Sequence, residues 1–353
     1  MPKRSYSYTN DDNDDDYYPE KDEIIISPPP LPPLKKRKIE YLKFDYKNFN
    51  TLDSLIEVVK NNKNVYNIDI IKLNNIIKEL KELKELIGMK EVKTAIISQV
   101  LFFIQGLNKD DMMHTVIQGP SGSGKTTLAK IISKIYLKLG YLDNNKFIIA
   151  KRSDLIGEYL GQTAKKTERM INKASGGVLF IDEAYALGSG CNNSDSYSKE
   201  CIDTLNQHLS EKKDFICIIA GYEKELKKCF FSRNQGLQRR FPWIYNITKY
   251  NEGELYNIFV KLVVDNGWKL KENSINKDFF KQNLEMFPHY GGSCLTFLSK
   301  VKIAHSQRVF GQEPHKKKII NNDDVKRGYE MYLKYQQTEK NVNSTKPPPG
   351  MYL

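Results

Sequence analysis

The sequence predicts an α/β fold: a largely parallel sheet with helices on both faces, followed by a small all-helical domain. Three observations predict it. From about residue 87 to 248, short apolar runs alternate with amphipathic stretches, the pattern of strands joined by crossover helices. A glycine-rich loop at 119–127 stands between one such strand and the next helix. After Glu252 only helical periodicity remains.

The strands are expected at 114–118, 146–150, 177–181, 215–220 and 243–247, and the later helices at about 252–266, 275–286, 293–309 and 323–336. Residues 51–86 read as two helices. Leu52, Leu55, Ile56 and Val59 share one face, as do Ile70, Leu73, Ile77, Leu80 and Leu83. The expected organisation is a disordered segment 1–50, a helical extension 51–86, the α/β domain 87–248, a helical domain 249–338 and a flexible tail 339–353. Residues 1–50 hold an acidic run (Asp11–Asp16), a proline cluster (Pro28–Pro33) and a basic run, with too little apolar periodicity for a core. The basic run Lys35, Lys36, Arg37, Lys38 reads either as a nuclear-import signal or as a solvated charge run.

Hydrophobic residues make up 40% of the 353 and charged residues 28%, ordinary for a soluble globular protein. No apolar run approaches the roughly 18 residues of a membrane span, and the first residues, MPKRSYSYTNDDNDDD, lack the apolar core of a secretory signal. A cytoplasmic or nuclear protein is expected, with no membrane partner. The five cysteines form no CxxC, which suits idle thiols in a reducing compartment. The five histidines are scattered, without metal-ligand spacing. The net charge is +12. Residues 1–50 carry nine basic and ten acidic side chains, so the excess lies in the folded part. Such an excess allows a nucleic-acid partner. It is not favoured, because lysine and asparagine are used throughout and no zinc finger, helix-turn-helix or RNA-binding motif is present.

The loop reads Gly119-Pro120-Ser121-Gly122-Ser123-Gly124-Lys125-Thr126-Thr127. This is GxxxxGK[ST] between a strand and a helix, the context in which backbone N–H groups converge on phosphate oxygens and the helix N-terminus adds its dipole. Lys125 is placed to reach the outer phosphates, and the Thr126 hydroxyl to hold magnesium. Gly177–Ile181 is a continuous apolar run, hence a central buried strand. It ends in Asp182-Glu183, at the sheet edge where ligands bind. Asp182 would then assist the magnesium, and Glu183 would orient and deprotonate a water for attack on the terminal phosphate. The expected fold is therefore that of the P-loop NTPases, the expected activity hydrolysis of ATP to ADP and phosphate, and the expected cofactors ATP and Mg2+.

Between and after these motifs stand Leu86-Ile87-Gly88-Met89-Lys90-Glu91-Val92-Lys93, Leu139-Gly140-Tyr141, Asp154 to Ala164, Gly176 to Tyr185, and Ile219-Ala220-Gly221-Tyr222. With them, the stretch from Leu86 to about Phe310 resembles the CbbX/CfxQ branch of the AAA+ ATPases, which also includes the SpoVK-like proteins. The resemblance covers about 225 of 353 residues, with the motifs in order. It implies a homo-oligomeric ring, usually of six subunits, with ATP between neighbours. It implies that Leu86–Met89, with Ile87 and Gly88, borders the adenine. It also implies an arginine that reaches the neighbour's ATP: Arg240 matches that position best and Arg239 second. A guanidinium suits this task because it is planar and always charged. The sensor position is Tyr222, which either hydrogen-bonds near the γ-phosphate or packs against the sheet. Tyr159-Leu160-Gly161 falls where threading motors carry an aromatic–aliphatic–glycine pore loop; the alternative is that Tyr159 and Leu160 pack beneath the loop. One departure stands out. The branch commonly shows a GNAR-type sequence whose arginine touches the nucleotide, whereas this chain has Gly291-Gly292-Ser293-Cys294, with Lys300 and Lys302 as nearby substitutes.

The expectation is an ATPase that remodels a protein client of unknown identity, by threading. The alternatives are a nucleic-acid-associated ATPase, such as a loader or helicase accessory, and an ATP-dependent switch with little turnover.

Overall fold

Strands that are buried on both faces must offer apolar side chains to both, and the segments 115–118, 178–181 and 216–221 do so. The computed structural model describes residues 51–61, 69–108, 111–159, 161–188, 196–313 and 317–344. The disordered segment expected at 1–50, with its basic run, lies outside them, as do Leu160 and residues 345–353. Three short helices come first: α1 (Leu52–Asn61), α2 (Ile70–Asn75) and α3 (Ile77–Glu85). The sequence reading expects two. The second stripe is interrupted at Ile76, whose backbone (φ −99°, ψ 2°) leaves the helical region while its side chain stays fully buried. The stripe survives because the break keeps Leu73, Leu80 and Leu83 in the core.

Helix α4 (Lys90–Ile104) leads to β1 (Thr115–Gln118), and α5 (Lys125–Lys138) follows the glycine loop. Next come β2 (Phe147–Ala150), α6 (Arg152–Leu155), α7 (Thr163–Lys173) and β3 (Val178–Ile181). A 3-10 turn at Ala184–Gly188 precedes α8 (Ser196–Glu211) and β4 (Ile216–Gly221). Then α9 (Glu223–Glu225) continues as a π turn through Phe230, a 3-10 turn spans Leu237–Arg240, and β5 covers Trp243–Asn246. The five strands form one parallel sheet in the order β2-β3-β4-β1-β5. Alternation along each strand feeds two separate cores. Val178 and Phe180 of β3 join Ile218 of β4 and Ile117 of β1 on the face covered by α4 and α5. Leu179, Ile181, Cys217, Ile219 and Val116 join α7 and α8 on the other. All nine of these side chains are fully buried, so the sheet is held from both sides and its C-terminal edge is a rigid rim. The extension docks on α5, where Lys138 pairs with the buried Glu79 at 2.9 Å and Lys134 with Glu82 at 2.9 Å.

The rest of the described chain is helical: α10 (Glu252–Asp265), α11 (Lys277–Gln282), α12 (Tyr290–Arg308) and α13 (Asn322–Ser344). Its core is aromatic, with Phe259, Phe280, Phe287, Phe297 and Tyr332 in mutual contact. A two-residue parallel ladder, β6 (Lys269–Leu270) with β7 (Ile319–Ile320), adds to the expected helices. Asp324 ties this ladder to α12 through Arg308 at 2.8 Å and His305 at 2.9 Å. Helix α12 begins at Tyr290 and takes Gly291 and Gly292 into its first turn, where the sequence reading starts it at 293. Helix α13 runs on to Ser344, beyond the 336 expected for it and into the expected tail.

Candidate functional site

Four elements end at the same rim, and the glycine loop spans it. The loop leaves β1 with the Gly119 N–H donating to the Gly221 carbonyl of β4 at 3.1 Å, which pins its start to the neighbouring strand. It enters α5 through Gly124, held at φ +86°, a conformation that costs a side-chain-bearing residue dearly. Lys125 and Thr126 then face a cleft of about 340 Å3 that is also lined by Asp182, Glu183, Tyr185 and Tyr222.

The Lys125 ammonium donates to the carbonyls of Pro120 at 2.9 Å and Gly119 at 3.1 Å, and lies 5.5 Å from the centre of the Tyr222 ring. Burial lowers its pKa, and the nearby carboxylates of Asp182 and Glu183 oppose that shift. The Thr126 hydroxyl donates to Asp182 Oδ2 at 3.3 Å. A hydroxyl and a carboxylate oxygen from two different elements therefore meet at one point. These are hard oxygen donors, few in number, and they fit magnesium, which keeps most of its shell for water and phosphate oxygens. Glu183 follows directly, its backbone at φ +51° and its N–H donating to Asp182 Oδ1 at 3.0 Å. The turn directs the Glu183 side chain to the open face of the cleft. Tyr185 stands beside it, its ring centre 5.8 Å from that of Tyr222. Burial and the adjacent Glu183 push the Tyr185 phenol up to about 12. Tyr222 is half-exposed and lines the cleft.

A second hollow of about 230 Å3 opens on the other side of the loop. Leu86, Ile87, Met89, Tyr250, Ile258 and Leu262 make it apolar, while Ser123 and Gly124 line both hollows. A flat heteroaromatic base with phosphates attached matches this pairing of an apolar slot with a polar one. Ile87 lines the slot. Gly88 does not; it sits at φ +69° behind it, with the Tyr250 ring 2.9 Å from where a Cβ would stand. Sequence reasoning missed Tyr250, Ile258 and Leu262. The last two lie on a helix whose apolar residues read as core, and nothing local marks Tyr250. Tyr185 ends the run Gly176–Tyr185, and nothing in the sequence assigns it a role.

The remaining expected residues lie elsewhere. Arg240 lines neither hollow of its own chain; its Nε donates to Ser210 Oγ at 2.9 Å and its Nη1 to the Gly236 carbonyl at 3.1 Å. Arg239 beside it is exposed. Tyr159 is 68% exposed, so it does not pack beneath its loop. Gly161 sits at φ +77° in open space. Cys294 is fully buried in the helical domain, its thiol near the Leu255 carbonyl and pushed up to about 12 by burial. Neither suggested lysine replaces an arginine there. Lys300 lies 4.8 Å over the Tyr335 ring, and Lys302 donates to Asn266 Oδ1 at 2.8 Å beside Trp268. Both are drawn to partners on the helical domain, away from the cleft.

The chain matches the family model "ATPase family associated with various cellular activities (AAA)" over residues 115–240. It is 43% identical over 262 residues to the cfxQ-like protein R730 of Acanthamoeba polyphaga mimivirus, covering 72% of this chain and 64% of that protein. It is 38% identical over 199 residues to stage V sporulation protein K of Bacillus subtilis (strain 168), covering 54% of this chain and 61% of that protein. With protein CfxQ of Xanthobacter flavus it shares 32% identity over 239 residues, 64% of this chain and 74% of that protein. The chain thus spans a little under two thirds of the first two relatives and about three quarters of the third. Among the described residues, no helix is long and apolar enough to cross a membrane.

Proposed function

The chain belongs to the CfxQ-like branch of the AAA ATPases, and on that premise we propose that it binds Mg2+–ATP in the two hollows and hydrolyses it to ADP and phosphate. One observation carries the reading. Lys125 and Thr126, from the start of α5, and Asp182 and Glu183, from the end of β3, line a single cleft beside an apolar slot.

The adenine takes the slot beside Ile87 and Met89, and the phosphates follow the loop. Lys125 exchanges its carbonyl partners for phosphate oxygens, which compensates the desolvated ammonium better than neutral carbonyls do. Thr126 and Asp182 hold the magnesium ion, which would neutralise developing charge on the phosphates when bound. Glu183 takes a proton from water as the water oxygen forms its bond to the γ-phosphorus and the bond to the β–γ bridging oxygen breaks. Tyr222, within reach of Lys125, senses the γ-phosphate. Arg240, turned away from its own cleft, reaches the ATP of a neighbouring subunit in a homo-oligomeric ring. Tyr159 and Gly161, with Leu160 between them, form a pore loop that grips a protein client. The exposure of Tyr159 supports this last role, because an aromatic ring in water at a loop tip gains by meeting a partner.

Glu183→Gln tests the core of the proposal. The amide still holds a water but takes no proton, so turnover should fall by roughly 10²–10⁴ while ATP affinity stays near wild type. Wild-type hydrolysis by the variant in a steady-state phosphate-release assay would remove Glu183 as the base.

A further inference from the structure

The position where the resemblance implies a lid arginine is taken by Cys294, which is sealed in the helical core, and Lys300 and Lys302 have partners elsewhere on the helical domain. The helical domain nevertheless touches the phosphate loop at two points. The Tyr250 hydroxyl donates to the Ser123 carbonyl at 2.9 Å, and the Gly291 N–H donates to the Gly122 carbonyl at 3.2 Å. The second contact is so close that a Cβ on Gly122 would stand 2.0 Å from the His289 carbonyl oxygen.

Tyr250 sits at the junction of these parts. It directly precedes Asn251, which caps α10 in a reciprocal box with Glu254 at 2.9 Å in each direction. Its ring meets Tyr290, the first residue of α12, edge-on at 5.5 Å. One side chain thus bridges the starts of two helices and the loop. It is buried, and burial pushes its phenol up to about 12, so it stays a donor across the working pH range.

The two acceptors matter because of peptide geometry. In a trans peptide the N–H points opposite the C=O of the same plane. Holding the Gly122 carbonyl fixes the direction of the Ser123 N–H, and holding the Ser123 carbonyl fixes that of the Gly124 N–H. Both donors are thereby aimed to the side of the loop opposite the helical domain. We propose that Tyr250 is a positioning residue that, together with the Gly122–Gly291 contact, couples the orientation of the helical domain to the phosphate-binding N–H groups of the loop. It does so without an arginine on the nucleotide. The inference rests on the ATP reading above, and it differs from a mere wall of the base slot in what it should affect. Loop N–H groups meet phosphates, so their misalignment weakens a triphosphate ligand more than a monophosphate one.

The test compares equilibrium binding of a fluorescent ATP analogue and the matching AMP analogue to the full chain. Tyr250→Phe keeps the ring and removes only the hydroxyl. It should weaken the ATP analogue roughly five-fold and leave the AMP analogue within about two-fold, the scale of one neutral hydrogen bond. Tyr290→Ala, which leaves the hydroxyl in place but removes the ring that braces it, should show the same selectivity. It decides the matter if Tyr250→Phe melts early. Unchanged ATP affinity in a folded variant, or equal loss for both ligands, overturns the coupling. Lys125→Ala is the separate control. If it too binds ATP normally, the ATP site itself has been misplaced; if it does not, only the Tyr250 role has failed.

Discussion

His114 makes the folded state acid-sensitive by an amount that follows from its surroundings. It lies one residue before β1, 4% exposed, between the rings of Phe215 and Phe241. Its Nδ1 accepts the Cys217 N–H at 3.0 Å, so the ring proton is on Nε2, which faces the Leu209 carbonyl at 3.3 Å. A second proton would have to displace the Cys217 donor and bring a charge into an apolar cage. Burial accordingly lowers the pKa from 6.5 to about 4, against the opposing pull of the Leu209 carbonyl. The sign follows directly. The unfolded chain takes up its proton near pH 6.5 and the folded chain only near 4. Stability is therefore fully present above pH 6.5 and is lost as pH falls between the two values. A shift of this size corresponds to about 3 kcal/mol at 1.36 kcal/mol per unit, a large part of a typical domain's stability. The assay is urea unfolding at pH 7 and pH 4.5 for wild type and His114→Gln, which has no titrating group. Wild type should lose about 2–3 kcal/mol more than the variant over that interval. Equal losses would mean that His114 is hydrated or reprotonates without cost, and the buried neutral tautomer would be wrong.

Two further outcomes test the assembly. Arg240→Ala should bind ATP almost normally but turn it over roughly 10³–10⁵ more slowly, and mixing it with Lys125→Ala subunits should restore part of the activity; no recovery in co-assembled rings would place Arg240 in cis or outside catalysis. Tyr159→Ala should keep basal hydrolysis and lose stimulation by an unfolded protein, while Tyr159→Phe keeps both; equal loss of basal hydrolysis in the two would make Tyr159 a packing residue.

The central strands are legible because burial on both faces demands apolar runs, and Val178–Ile181 has no polar residue to confuse the reading. The loop was legible because backbone–phosphate contact demands glycine at fixed spacing. What escaped was whatever depends on distant chain segments meeting. A two-residue ladder such as Lys269–Leu270 with Ile319–Ile320 is shorter than one period of alternation. Helix α12 was placed too late because Gly291 and Gly292 are poor helix formers. The missing side chain at Gly291, where a Cβ would stand 2.9 Å from the Gly122 carbonyl oxygen, lets the helix start lie against the loop, and tertiary packing overrides the propensity. Tyr250 looks like any strand-flanking aromatic until Ser123, 127 positions earlier, is seen at its hydroxyl. At Cys294 the sequence offers only Lys300 and Lys302 as substitutes for the expected arginine, since a sequence shows neighbours along the chain and not across a domain.

Three features that are separate in sequence meet behind Glu183. The 3-10 turn Ala184–Gly188 leaves carbonyls that no regular ladder uses, and two arginines take them. Arg152 donates to the Ala186 carbonyl at 2.6 Å and to Ser198 Oγ at 3.1 Å, and Arg233 donates to the Gly188 carbonyl at 3.0 Å. Arg152 begins the short helix that leads to Tyr159; Arg233 ends the turn that leads to Arg240. At Gly188 the Cys229 carbonyl comes within 1.6 Å of where a Cβ would stand, so the π turn after Tyr222 is pressed against the same segment. Guanidinium groups suit this place because one fork serves several acceptors in fixed geometry, and a charged donor to a part-buried carbonyl is stronger than a neutral one. Close packing in this region leaves little slack to absorb a shift. The segment bearing Tyr159 and the one bearing Arg240 are therefore both joined to the residues immediately after Glu183, through two charged hydrogen bonds and one backbone contact. Glu183, whose backbone sits at φ +51°, directly precedes the turn that these contacts hold, so the same contacts fix the backbone that sets the direction of its carboxylate.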